Sequence, residues 1–379
     1  MEKAFSGPAR QAPKKFKAEP FGYHQIVELE IHSLTNLGEG VGRVALNEND
    51  SWVIFVAGAL PGERVKASVW HNAKNFSRAD LVEILMPSRE RVEPRCPLFG
   101  KCGGCQYQNL NYGAQLAWKT QQIKELFERI GKIELPAGTL KNCFGSPKQW
   151  GYRSKITPHF ERPRDCGEAF PIGFLAAGSA RKIIDVPACP IATDAINEAL
   201  PAARERVREK MARGEFKRGA TLLLRETLEG VVSDYKAKVS ERVGDLVLHF
   251  VAGDFFQNNP FILPDFVNYG VNAARGNGDC RFLVDTYCGS GLFALSAASR
   301  FERVLGVEVS GDAVVNAREN ARGNGIGNCE FVEGSSEIIF EKVTFPPDET
   351  AVIMDPPRKG SDEAFLAQLL AFAPKRIVY

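Results

Sequence analysis

The chain has 379 residues, too many for one ordinary hydrophobic core, so two or three domains are expected. Its apolar fraction of 44% and charged fraction of 25% are globular values, and a net charge of +2 neither demands nor excludes nucleic acid. The chain shows no secretory h-region and no apolar run that could span a bilayer; its nine cysteines therefore point to metal or catalytic use instead of disulfides, and to the cytoplasm.

Residues 1–22 read as a basic flexible tail, with Lys3, Arg10, Lys14, Lys15 and Lys17 against Glu2 and Glu19. Residues 23–88 read as all-β. Ile26–Ile31 alternates, and Trp52–Val56, Glu63–Val69 and Phe76–Leu85 are further strand candidates. Gly38, Gly40, Gly42, Gly58 and Gly62 read as turn punctuation. Short strands in so small a span suggest an OB-like closed barrel.

Residues 89–250 form a central α+β domain. It opens on Cys96, Cys102 and Cys105, spaced C-x5-C-x2-C around Gly103 and Gly104. Close thiols on a flexible loop suit a soft metal. A second C-x2-C pair, common at zinc sites, is missing, so an iron–sulfur cubane is favoured, with Cys189 as fourth ligand because proline follows it as it follows Cys96. Cys143, Cys166, Cys280 and Cys329 read as structural. Leu116, Ile123, Leu126, Phe127 and Ile130 predict one helix over 111–131. Arg153 and Lys155, beside Tyr152, suit a phosphate grip or a solvated strand start equally well. Strands are expected at 170–175, 181–186, 220–225, 230–235 and 245–251, with a helix over 191–213.

Residues 251–379 alternate strands and helices, which predicts a parallel, doubly wound sheet. Phe282–Thr286 leads into Gly289-Ser290-Gly291 and a helix, the geometry of a ligand-cradling turn at a strand's carboxyl end. Asp285 there suits a ribose hydroxyl or a cationic group better than a phosphate. Glu308 ends the next strand, where an acid commonly holds ribose hydroxyls. Nicotinamide enzymes share that logic, but Asp355-Pro356-Pro357-Arg358 after a buried strand is not their signal. Two prolines make a rigid loop able to seat a planar base.

These stretches carry a resemblance. Gly38–Arg43 and Ala59–Glu63 resemble the TRAM module, a small RNA-binding barrel. Phe255–Asn259, Asp285–Gly291 and Asp355–Arg358 together resemble the class I RNA uracil-C5 methyltransferases, over roughly residues 23–379, most closely the tRNA uracil-54 branch. The resemblance implies a Rossmann-like methyltransferase sheet, S-adenosylmethionine as cofactor, and Gln257, Tyr287, Glu308 and Asp355 as its binding residues. Many members carry Asn at the place of Leu292, which cannot make that hydrogen bond. Cys96, Cys102, Cys105 and Cys189 would hold a 4Fe-4S cluster. A cysteine thiolate would attack uracil C6 of a flipped base, and a carboxylate would later remove the C5 proton. That nucleophile and base follow a strand like Arg376–Tyr379, so the chain is expected to be C-terminally truncated, with no catalytic residue of its own. Cys288 sits in the cofactor turn and does not replace the nucleophile. The expectation is a monomeric enzyme forming 5-methyluridine in tRNA. Ribosomal RNA is the alternative substrate, and a non-catalytic RNA- and cofactor-binding protein the alternative role.

Overall fold

The computed structural model describes residue 13 and residues 16–163, 169–334 and 339–379; most of the basic tail and Cys166 lie outside the described residues. The chain divides into two compact units, residues 1–145 with 174–184, and residues 146–173 with 185–379.

The first unit is built on a closed barrel of β1 (Ile26–Leu34), β2 (Glu39–Asn47), β3 (Asp50–Ala57), β4 (Arg64–Asn72) and β5 (Phe76–Met86), in the order β1-β2-β3-β5-β4. Alternating residues Val27, Leu29, Ile31, Ile54, Val56, Val65, Ala67 and Val69 fill it. Gly40 and Gly42, expected in turns, lie inside β2. A Cβ there would come within 2.7 Å of the Ala59 carbonyl and 2.4 Å of the Glu30 carbonyl, so these are positions of close strand approach.

Glu63, 1% exposed, closes the barrel onto the next segment. It accepts from Arg91 Nε at 2.6 Å and Nη2 at 2.9 Å, and from the N–H groups of Leu60 and Ser88. The helix α1 (Tyr112–Glu125) is capped by Asn111 and runs on as a π-helical turn over Leu126–Gly131. Ala114 and Trp118 pack on Leu34, Leu60 and Leu110, while Ile123, Leu126, Phe127 and Ile130 are exposed.

In the second unit, short strands β6 (Lys155–Ile156), β7 (His159–Phe160), β8 (Ile172–Leu175) and β9 (Ile183–Asp185) precede α2 (Asp194–Ala212). The division between units falls within β8 and β9. Arg204 of α2 is buried and donates to both oxygens of Asp185 at 2.8 Å. Next come β10 (Ala220–Thr221), β11 (Leu224–Thr227), β12 (Gly230–Val232), and a ribbon of β13 (Lys238–Val243) and β14 (Leu246–Val251). β13 was not legible in the sequence; its charged residues mask the alternation.

The remaining elements are α3 (Leu263–Arg275), β15 (Phe282–Thr286), α4 (Leu292–Ala297), β16 (Arg303–Glu308), α5 (Gly311–Gly323), β17 (Cys329–Glu333), β18 (Thr350–Met354), α6 (Glu363–Phe372) and β19 (Arg376–Val378). They form the expected parallel sheet, in the order β17-β16-β15-β18-β19. Its central strands β15 and β18 are buried almost throughout, because helices cover both faces. The order reverses between β15 and β18. A crevice therefore opens at the carboxyl ends of these strands.

Candidate cofactor crevice and the family of the chain

Three strand ends set the crevice. Thr286 closes β15 and donates from its hydroxyl to the Ile353 carbonyl at 3.1 Å, locking β15 to β18. Tyr287 follows in a left-handed conformation, with φ of 62°. A β-carbon resists that region, so the surrounding contacts must hold it. Its ring lies 5.4 Å from that of buried Phe365, and its hydroxyl bonds Ser361 Oγ at 3.1 Å. Gly289 and Gly291 take φ of 54° and 93°, which glycine adopts without strain.

Glu308, at the end of β16, accepts the Gly289 N–H on one oxygen and the Ser310 N–H on the other, each at 3.0 Å. It thereby ties the glycine turn to the start of α5. Asp355, just past β18, accepts from Gln257 Nε2 at 3.3 Å. The predicted residues Gln257, Tyr287, Glu308 and Asp355 thus all lie along the carboxyl edge of the sheet. Leu292 is half-buried against the core, consistent with an apolar role.

Asp285 also serves the fold. It is 1% exposed, and its Oδ2 accepts the Ala294 N–H at 2.8 Å, so it caps the first turn of α4. Its Oδ1 is buried without a hydrogen-bond partner among the described residues. Burial, with the nearby charges of Asp355 and Glu308, pushes its carboxyl up to about 8. Burial likewise raises Asp355. The crevice therefore concentrates acidic groups. Asp285 keeps its proton at neutral pH, so the charges of Asp355 and Glu308 are the ones that favour a cationic ligand and oppose a pyrophosphate.

Cys288 is 5% exposed. Burial and the acids Asp285 and Glu308 hold its thiol far above the usual range, which opposes thiolate formation. Gln257 is carried by a turn that sequence reasoning read only as a motif. Phe256 stacks on Phe250 with ring centroids 4.2 Å apart, while Phe255 is exposed. Lys155 Nζ donates to the carbonyls of Gly253 and Asp254, each at 3.1 Å, and buried Arg225 donates to that of Asp254 at 3.0 Å. Burial and the neighbouring Arg225 lower Lys155 to about 8. Lys155 thus spends its hydrogen bonds on the turn itself.

Cys96, Cys102 and Cys105 lie in the first unit and Cys189 in the second. Cys102 Sγ accepts the Gly104 N–H at 3.4 Å, and the loop is pinned by Gly103 N–H to the Leu175 carbonyl at 2.9 Å. The donors are chemically right for a soft metal. Among the described residues, no three His, Cys, Asp or Glu side chains are gathered closely enough to hold a metal ion. No helix among them is long and apolar enough to cross a membrane.

Comparison with known proteins agrees with this geometry. Residues 227–345 match the family described as tRNA (Uracil-5-)-methyltransferase. The tRNA (uracil(54)-C(5))-methyltransferase of Schizosaccharomyces pombe is 42% identical over 95% of this chain and 70% of its own length. That of Saccharomyces cerevisiae is 32% identical over 94% of this chain and 66% of its own length. Among solved structures, Pyrococcus abyssi tRNA (uracil-54, C5)-methyltransferase, in complex with S-adenosyl-L-homocysteine, superposes with a TM-score of 0.66. It is 23% identical, covering 93% of this chain and 89% of its own, and shares the fold. With a relative so similar over so much of both chains, the chain belongs to the tRNA (uracil-5-)-methyltransferase family.

Proposed function

We propose that the protein is an S-adenosylmethionine-dependent methyltransferase acting on C5 of uracil in tRNA, in the cytoplasm, as a monomer. The observation that carries this reading is the acidic crevice, with Gln257 and Asp355 at one end and Glu308 at the other. The cofactor supplies an activated methyl group on a sulfonium. Asp355 and Gln257 would face the sulfonium and its charged amino-acid end, where nearby carboxylates favour positive charge. Glu308 would exchange a backbone N–H partner for the ribose hydroxyls, and Tyr287 would line the pocket. Family membership and the relatives' names support tRNA over ribosomal RNA.

The barrel at residues 23–88 would contact RNA, the 89–250 region would carry a 4Fe-4S cluster on Cys96, Cys102, Cys105 and Cys189, and residues 251–379 would hold the cofactor. The soft donor set and the N–H bond to Cys102 Sγ support the cluster. Iron and acid-labile sulfide analysis of anaerobically purified protein tests it; protein free of both would reject it. For the main reading, 5-methyluridine is mapped in tRNA and ribosomal RNA from cells lacking the gene. Loss confined to tRNA is expected. Unchanged tRNA, or loss from ribosomal RNA alone, overturns the assignment.

A further inference from the structure

Helix α5 and the residue that ends it carry asparagines at i, i+4 and i+8: Asn316 and Asn320 within the helix and Asn324 at its C-cap. A face repeating every four residues on a core-facing helix is ordinarily apolar. Asn316 is 7% and Asn320 0% exposed, so the amides are not solvated.

Asn320 and Asn324 serve the open edge of β14. Asn320 Oδ1 accepts the His249 N–H at 2.7 Å and its Nδ2 donates to the His249 carbonyl at 2.9 Å. Asn324 repeats the pattern one turn later, accepting from the Val247 N–H at 3.0 Å and donating to the Val247 carbonyl at 2.9 Å. Two side-chain amides thus stand in for a neighbouring strand and satisfy backbone groups that β13 cannot reach. Leu248 and Phe250, between and beyond them, point into the core.

The second Nδ2 proton separates the two residues. In Asn324 it goes to the Asn320 carbonyl at 2.8 Å, within the helix's own end. In Asn320 it goes to the Ser290 carbonyl at 3.0 Å, inside the glycine turn. One buried amide therefore joins two elements. The first is the glycine turn, whose Gly289 N–H meets Glu308. The second is β14, which runs straight into the segment that delivers Gln257 to Asp355.

We infer that Asn320 is a positioning residue: it fixes the spacing between the glycine turn and the arm bearing Gln257. It touches neither cofactor nor substrate. The inference rests on the crevice being the S-adenosylmethionine site, and Asn324 supplies an internal control. Replacing either amide leaves β14 carbonyl and N–H groups unsatisfied and lowers stability. Only replacing Asn320 releases the turn.

The test titrates S-adenosylhomocysteine into the 379-residue protein by calorimetry, with Asn320→Ala and Asn324→Ala compared well below the melting temperature of each. Asn320→Ala should weaken binding about tenfold and Asn324→Ala less than twofold, at similar losses in Tm. Equal weakening by both, or none by Asn320→Ala, overturns the inference. Should Asn320→Ala fail to fold, Asn320→Asp keeps the size and the acceptor for the His249 N–H while removing the donors to the His249 and Ser290 carbonyls, and should weaken binding likewise. A second readout needs no ligand. Hydrogen exchange in the 287–292 segment should speed up in the Asn320 variants and not in Asn324→Ala. If the unaltered protein does not bind the nucleoside, the crevice reading falls, while the exchange result still decides whether Asn320 anchors the turn.

Discussion

Gln257 donates a hydrogen bond to Asp355 at 3.3 Å, joining residues 98 positions apart across the mouth of the crevice. In the proposed cofactor site this contact lies at one end and Glu308 at the other. Hydrogen bonds to a charged partner contribute about 1.5–3 kcal/mol. Gln257→Ala and Asp355→Ala should therefore each weaken S-adenosylhomocysteine binding by roughly tenfold to a hundredfold, since each tenfold is about 1.4 kcal/mol. Calorimetric titration checks this. Affinity within twofold of the unaltered protein would remove both residues from the site.

Asp285 imposes a pH dependence. Its carboxyl, ordinarily at 3.8, stands at about 8 in the folded protein. Between those values the folded state keeps a proton that the unfolded chain has released. Stability therefore falls as pH rises through that window, by up to about 1.4 kcal/mol per pH unit. Asp285→Asn keeps an oxygen for the Ala294 N–H and carries no charge. Its stability relative to the unaltered protein should improve steadily from pH 5 to pH 8 in ligand-free urea melts. A constant difference across that range would contradict the assignment.

Glu63 should show the opposite sign. Burial works to raise its carboxyl, but hydrogen bonds from Arg91, Leu60 and Ser88 outweigh it and hold the group below its ordinary 4.5. That stabilisation is complete above the ordinary value and is lost as pH falls through the lowered one. Glu63→Gln removes the charge facing Arg91 and should cost about 3 kcal/mol at pH 7, the scale for breaking a buried pair. The deficit should shrink below pH 4.5. Denaturant melts that follow the barrel decide it; a loss under 1 kcal/mol at neutral pH would show the pair to be dispensable.

Cys288 is predicted to resist alkylation. Its thiol is buried, and the acids beside it raise it further, so little thiolate forms at pH 8. Cys143, half-buried and outside this acidic setting, should react first. Peptide mapping after iodoacetamide treatment of the native protein measures both. Rapid labelling of Cys288 would require a turn far more open than the one described.

Much of this architecture is local in origin. The alternation of apolar strands with helices, the glycines after Thr286 and the acids ending β16 and β18 are all visible in short windows. Periodicity reports which face is buried, and that depends only on neighbours in sequence. The glycines of β2 were misleading for a definite reason. Sequence shows that a β-carbon is missing and does not show whether a turn or a neighbouring strand requires its absence. The carbonyls of Ala59 and Glu30 supply the answer. The missed β13 has the same character, since Glu241 and Arg242 interrupt the apolar pattern that its pairing with β14 restores.

By itself the sequence determined a β-barrel followed by a doubly wound sheet and the strand-end positions of Glu308 and Asp355, because hydrophobic period and turn chemistry act within a few residues. Only the tertiary structure decided what each polar group does. It made Asp285 a helix cap, divided Phe256 into the core from Phe255 outside, turned Lys155 toward the carbonyls of Gly253 and Asp254, and set Asn320 between β14 and the glycine turn. Those roles depend on which distant backbone groups arrive unsatisfied beside each side chain, and packing alone brings them together.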